Sequence, residues 1–284
     1  MDHDRVVAQH WAKQLGDFIP NFFEQTPALR ALNGRGAIIL HGSTTLGIDD
    51  AFSDLDLWVM VSKEAMHLAE SLAATRFFSF TLDGKKGHFN LEEADAIIQR
   101  VQNCDMELIA ELRRCRILAD IDDVASKLVA AAQRPMSESV RKAWFCYHYV
   151  EMRGFHRNCD NPIERGDALA FLQGLVPTLN HSMRAAMILD GEPYPYIKWL
   201  GHAAAKTPSG RRLMPLIHNI PELFATDALR HPGPEQGHPL GVKLREIRQV
   251  LIENARAAGF DEPWLDRWWV YMTQAAEGIS SVKW

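Results

Sequence analysis

Only four cysteines occur in the chain, and no two of them form a Cys-x-x-Cys pair. Cys104, Cys115, Cys146 and Cys159 therefore offer no zinc-type quartet and no closely spaced redox pair. They read as reduced, mostly buried thiols. Long apolar runs are missing too, and none approaches the roughly 20 residues of a membrane span. The amino-terminal stretch "MDHDRVVAQHWAKQLGDF" is charged throughout and lacks the apolar centre of a signal peptide. There is no excess of positive charge. The formal net charge is −5, which removes the electrostatic footprint of a protein that binds long nucleic acid. Twelve histidines are scattered without an HExxH spacing, and Ser43 lacks the elbow glycine of a serine hydrolase. These absences leave a cytoplasmic protein with no membrane segment as the expectation.

What remains is an ordinary globular composition, 47% hydrophobic and 24% charged over 284 residues. That length serves one large domain or two small ones. Helical spacing of Val7, Trp11, Leu15 and Phe18 predicts a helix over 3–32, ended by "NGRG". Ala37–Leu40 and Leu55–Val61 read as buried strands, and Lys63–Thr75 as a helix. "FFSFTLDGKKGHFNLEEADAI" reads as two strands joined by a turn, with Lys85 and Lys86 exposed in it. A helix follows from Ala94 to about Arg113, then a short strand at "CRILAD" and a helix through Ala132. Mixed strands and helices imply an α/β (α+β) first half with a mixed sheet. After "QRPMS" no convincing strand appears. The second half reads as all-α, with breaks at "NCDNP", "DGEPYP", "KTPSG" and "RHPGPEQGHP", and holds six of the eight tryptophans. The expected division is 1–133 and 134–284.

The chemistry concentrates in "AIILHGSTTLGIDDAFSDLDLWVMV". Alternation on a strand puts Asp54 and Asp56 on one face and Leu55 on the other. Two carboxylates so close repel and are costly to desolvate. They form half a site for a hard divalent cation such as Mg²⁺, which takes one or two carboxylates together with phosphate oxygens. The Gly42-Ser43 turn ends the preceding strand. There a backbone amide and a hydroxyl can approach a phosphate, since Gly42 adds no side chain.

"GSTTLGIDDAFSDLDL" resembles the signature of the nucleotidyltransferase superfamily, the group that includes DNA polymerase beta and the antibiotic adenylyltransferases. Ten residues lie between Ser43 and Asp54, and Gly47 falls where many members carry a second glycine. The resemblance covers about residues 30–130, and its layout is that of small-molecule enzymes with a C-terminal helical domain. It implies that Asp54 and Asp56 hold Mg²⁺ and that Gly42 and Ser43 meet the phosphates of ATP or another nucleoside triphosphate. A third carboxylate on a nearby strand would complete a second metal position or act as base.

"HFNLEEAD" is the strand expected to supply that acid. His88, Asn90 and Glu92 share its polar face, and Glu92 is the candidate. The alternative for Glu92 is capping the helix that follows. If Asn90 holds the position instead, the third acid is missing. In the second half, "DGEPYPYIKWL" is similar to a segment of the helical domain in which Lys198 would reach a phosphate; otherwise Lys198 is a surface lysine. Asp167 reads as a helix cap, or as a contact for a cationic acceptor. The activity implied is transfer of a nucleoside monophosphate, AMP from ATP, to a hydroxyl of a small molecule such as an aminoglycoside, as in antibiotic resistance. Alternatives are a protein or RNA acceptor, or a nucleotide-binding regulatory module with impaired catalysis. The sequence is silent on the oligomeric state.

Overall fold

The computed structural model describes residues 3–225 and 231–284. The chain divides into two compact units, Met1–Arg134 and Pro135–Trp284. Among the described residues no helix is long and apolar enough to cross a membrane.

The first unit is built on a five-stranded mixed sheet. Its elements are α1 (His3–Gln25), α2 (Pro27–Arg30), β1 (Ala37–His41), α3 (Ser43–Leu46), β2 (Leu55–Val61), α4 (Lys63–Leu72), β3 (Phe77–Leu82), β4 (Lys85–Glu93), α5 (Ala94–Gln102), α6 (Met106–Leu112), β5 (Arg116–Asp120) and α7 (Val124–Ala132). The strand order is β3-β4-β2-β1-β5. β2 pairs with β4 in parallel, and the other neighbours are antiparallel.

Three boundaries differ from the sequence expectation. The first helix stops at Gln25, because Pro27 disfavours helical backbone at Thr26. The Lys63–Thr75 helix ends at Leu72, with Ala73 already extended. The helix from Ala94 is two helices, parted by Cys104 at φ 61° and restarted by the Asp105 side chain, which accepts from Leu108 N. The β3–β4 turn, Asp83-Gly84, has positive φ at both residues, as a two-residue hairpin turn requires.

Register in β2 follows from burial. Leu55, Leu57, Val59 and Val61 are buried with Ile38 and Leu40 of β1 and Phe89 and Leu91 of β4, beneath α1, α2 and α4. The phenylalanines of α1 seal this layer. Phe22 stacks on Phe89 at 5.5 Å between ring centroids, and Phe23 meets Phe89 edge-on at 5.4 Å. A slip of one residue would turn this set to the opposite face. Phe89→Ala should therefore cost about 3–5 kcal/mol of stability, read by denaturant unfolding.

The second unit is helical throughout its described residues. It comprises α8 (Glu138–Arg157), α9 (Asp160–Arg165), α10 (Ala168–Leu189), α11 (Ile197–Ala204), α12 (Pro208–Ala225), α13 (Pro239–Ala257) and α14 (Met272–Ser281), with short 3₁₀ turns at Pro263–Leu265 and Trp268–Val270. The chain leaves helical form at all four expected breaks, the one at "NCDNP" being a short turn at Asn158-Cys159 between α8 and α9. The last of them opens on Arg230, outside the described residues. Long α8 and α10 pack along each other. Between them lies a polar core. His148 is buried, with Nε2 2.9 Å from the Tyr194 hydroxyl and Nδ1 3.0 Å from Nδ1 of His181.

Burial pushes His148 well below its usual value and His181 down to about 4. Both rings stay neutral in the fold, and the unfolded chain takes up their protons near the ordinary value of 6.5. The unfolded state thus binds more protons in that window, so stability falls as pH drops from 6.5 towards 4. Thermal unfolding across this range should show the slope. The His148→Gln/His181→Gln variant should flatten it, leaving a share from His156, which burial likewise pushes to about 4.

Candidate active site

Parallel pairing of β2 with β4 places Asp56 opposite His88. His88 Nε2 lies 3.0 Å from Asp56 Oδ1, and its Nδ1 lies 3.6 Å from Asp54 Oδ2. The ligand atoms of Asp54, Asp56 and His88 all fall within 4.8 Å of one another. His88 stacks on Phe77 of β3, 4.7 Å between ring centroids. Its pKa is raised, first by the hydrogen bond to Asp56 and then by the charges of Asp56 and Asp54, against the opposing effect of burial. The pair of aspartates anticipated from the strand pattern therefore has its positive or ligating partner in an imidazole.

The Gly42-Ser43 turn reaches the same place. His41 pairs with Asp56 across the antiparallel ladder, which delivers Gly42 to the Asp56 carboxylate. A Cβ on Gly42 would come against the tip of that carboxylate, and the Gly42 φ of 77° is a conformation that favours glycine. Ser43 is buried at the start of α3. The Gly42 amide, expected to face a phosphate, instead donates to Glu111 Oε2 at 3.1 Å. Glu111 also lies 3.7 Å from Nδ1 of His41, whose ring lies tilted against Trp58, 4.1 Å between centroids. A carboxylate does reach the glycine turn, and it comes from α6, 69 residues away.

Glu92 is not brought to the aspartates. It pairs with Met60, four positions along β2 from Asp56, about 13 Å at strand rise. His88, Asn90 and Glu92 do share one face of β4, with Phe89 and Leu91 buried on the other. The choice among the three depended on where β4 enters beside β2, which alternation does not specify. Glu111 had no local signal, since only the tertiary fold carries α6 to the turn. Lys85 is also placed differently. It is largely buried and ion-paired with Asp49, with its ammonium 5.3 Å from the Trp11 ring; Lys86 is exposed as expected.

Two further candidates belong to the helical unit. Lys198 is exposed on α11, its ammonium 5.0 Å from the ring of Trp199. Asp167 is exposed and caps α10, accepting from Ala170 N at 3.0 Å.

The donor set suits a divalent cation. Two carboxylates supply hard oxygen and the imidazole a borderline nitrogen. Titration with Mn²⁺ followed by electron paramagnetic resonance should show one site. Asp54→Asn and Asp56→Asn should each weaken it by more than about tenfold, the scale for losing even an outer partner of a metal site. Glu92→Gln should leave it unchanged.

No family model matches the sequence, and no curated protein matches it. Among solved structures, the fold is similar to a nucleotidyltransferase-like protein from Exiguobacterium sibiricum 255-15. That likeness has 13% sequence identity and a TM-score of 0.47, over 94% of this chain and 89% of that one.

Proposed function

We propose that the first unit is a divalent-metal-dependent nucleotidyltransferase centre that moves AMP from ATP to a hydroxyl of a small molecule, with pyrophosphate leaving. One observation carries the reading. The Gly42-Ser43 turn, in a backbone conformation that favours glycine, lies against the Asp56 carboxylate, with ten residues between Ser43 and Asp54 in sequence. Asp54 and Asp56 would hold Mg²⁺. The cation, when bound, would neutralise charge on the triphosphate and on the leaving pyrophosphate. His88 orients Asp56 through its 3.0 Å contact and stands where the third carboxylate was anticipated. Ser43 and the end of β1 present the turn to the phosphates. In the helical unit, Asp167 could meet a cationic acceptor such as an aminoglycoside, and exposed Lys198 a phosphate. Among the described residues no disulfide links the four cysteines, which fits a reducing, cytoplasmic setting.

A second reading is favoured by one contact. The Gly42 amide is already engaged by Glu111, as suits a module that binds nucleotide without transferring it. Pyrophosphate release from ATP decides between the two. It should appear with Mg²⁺ or Mn²⁺ across a panel of aminoglycosides and other hydroxylated compounds, and fall at least a hundredfold in Asp54→Asn/Asp56→Asn. Metal-dependent ATP binding with no release, restored by Glu111→Ala, which removes the acceptor, would establish the second reading. Release unchanged in the double variant would remove the assignment.

A further inference from the structure

The helical unit carries a second charged pocket, of opposite sign. On α8, Arg153 and Arg157 are one helical turn apart, with His156 beside them. On α13, Arg245 and Arg248 are three apart, also about one turn. These four arginines line a cavity of about 270 Å³, closed on one side by Trp268 and Trp269. Two carboxylates enter it, Asp160 and Glu235. Glu235 is committed. It is ion-paired with Arg245, whose guanidinium also donates to the backbone oxygens of Glu235 and Gln236. Four cations thus face two anions, one of them already taken.

The deficit falls on Arg153 and Arg248. Arg153 donates through Nη1 to the Tyr149 hydroxyl at 3.3 Å, while its Nε is buried with no hydrogen-bond partner. Its guanidinium lies 5.6 Å from the Trp268 ring. Among the described residues, Arg248 makes no side-chain ion pair or hydrogen bond. Burial and the charges of Arg153 and Arg245 both disfavour its cation. His156 adds no charge near neutrality, being held at about 4 by burial and by these same arginines. A half-buried cluster of like charges is costly unless an anion joins it.

Asp160, Glu235 and His156 could offer donor atoms to a metal. The surrounding guanidinium groups repel a cation, and Glu235 is already held by Arg245. An anion suits the charge, and planar guanidinium forks match phosphate oxygens two at a time. Trp269, 54% exposed, leaves an indole surface open beside them.

We propose that this pocket is a phosphate-binding site, in which Arg153 and Arg248 clamp the phosphate of a small phosphorylated molecule. It is independent of the aspartate centre and of any transfer reaction there.

Full-length protein in EDTA, which silences the aspartate site, would be titrated with inorganic phosphate, pyrophosphate and AMP by calorimetry and thermal unfolding. Saturable binding is expected, weakened at least tenfold in Arg153→Gln and Arg248→Gln. Without an anion, Arg248→Gln should melt no lower than the parent, since it removes repulsion; in saturating phosphate it should melt below it. Trp269→Ala separates the sources. Weaker binding of AMP alone points to a nucleotide, and equal binding throughout points to free phosphate. Absence of binding at millimolar phosphate would overturn the proposal. So would affinity unchanged by both arginine variants, or a loss of stability in Arg248→Gln that is equal with and without phosphate.

Discussion

The alternation of β2 is the constraint on which the first unit rests. Leu55, Leu57, Val59 and Val61 are driven into one layer because burying each such side chain is worth about 1.5–3 kcal/mol. The residues between them have no choice of face. Asp54 and Asp56 are thus held together against their mutual repulsion by hydrophobic burial on the far side of the same strand. His88 and the Gly42 turn then arrive by register alone, one from a parallel neighbour and one from an antiparallel neighbour. The chemistry of the site is a by-product of how its back is packed.

That origin explains what could be read in the sequence. Both strand limits of β2 and the change to an all-helical second half are written in short-range pattern, as is a turn between β3 and β4, although that turn spans only Asp83-Gly84 and Lys85 and Lys86 belong to β4. So is the pairing of Asp54 with Asp56, which needs only a period of two. Glu92 and His88 show where pattern stops. They share a face, and choosing between them takes the offset of β4 along β2, a quantity set by the crossover through α4 and β3. Glu111 lies further beyond reach, because its contact with Gly42 spans 69 residues. The arginines of α8 and α13 illustrate the same limit: each pair has helical spacing, but their convergence depends on how two distant helices pack.

The two units handle buried charge by different means. At the aspartates, an imidazole sits against both carboxylates, and the hydrogen bond to Asp56 and their charges raise its pKa. In the polar core of the helical unit, two imidazoles stay neutral, and a tyrosine hydroxyl meets one of them. In the arginine pocket no titratable group can absorb the imbalance, because guanidinium does not give up its proton near neutrality. There the charge calls for an anion from outside the chain.

The two aspartates are also unequal mechanically. Asp56 sits inside the hydrogen-bonded ladder, flanked by β1 and β4, with its side chain 19% exposed. Asp54 precedes the first ladder residue, and its side chain is 45% exposed. One carboxylate is an anvil fixed in an inner strand, and the other hangs at the end of the loop that follows α3. Any ion taken up there meets a rigid partner and a compliant one. The entropy lost on binding is then concentrated in a few loop residues, while the sheet itself has almost none left to lose.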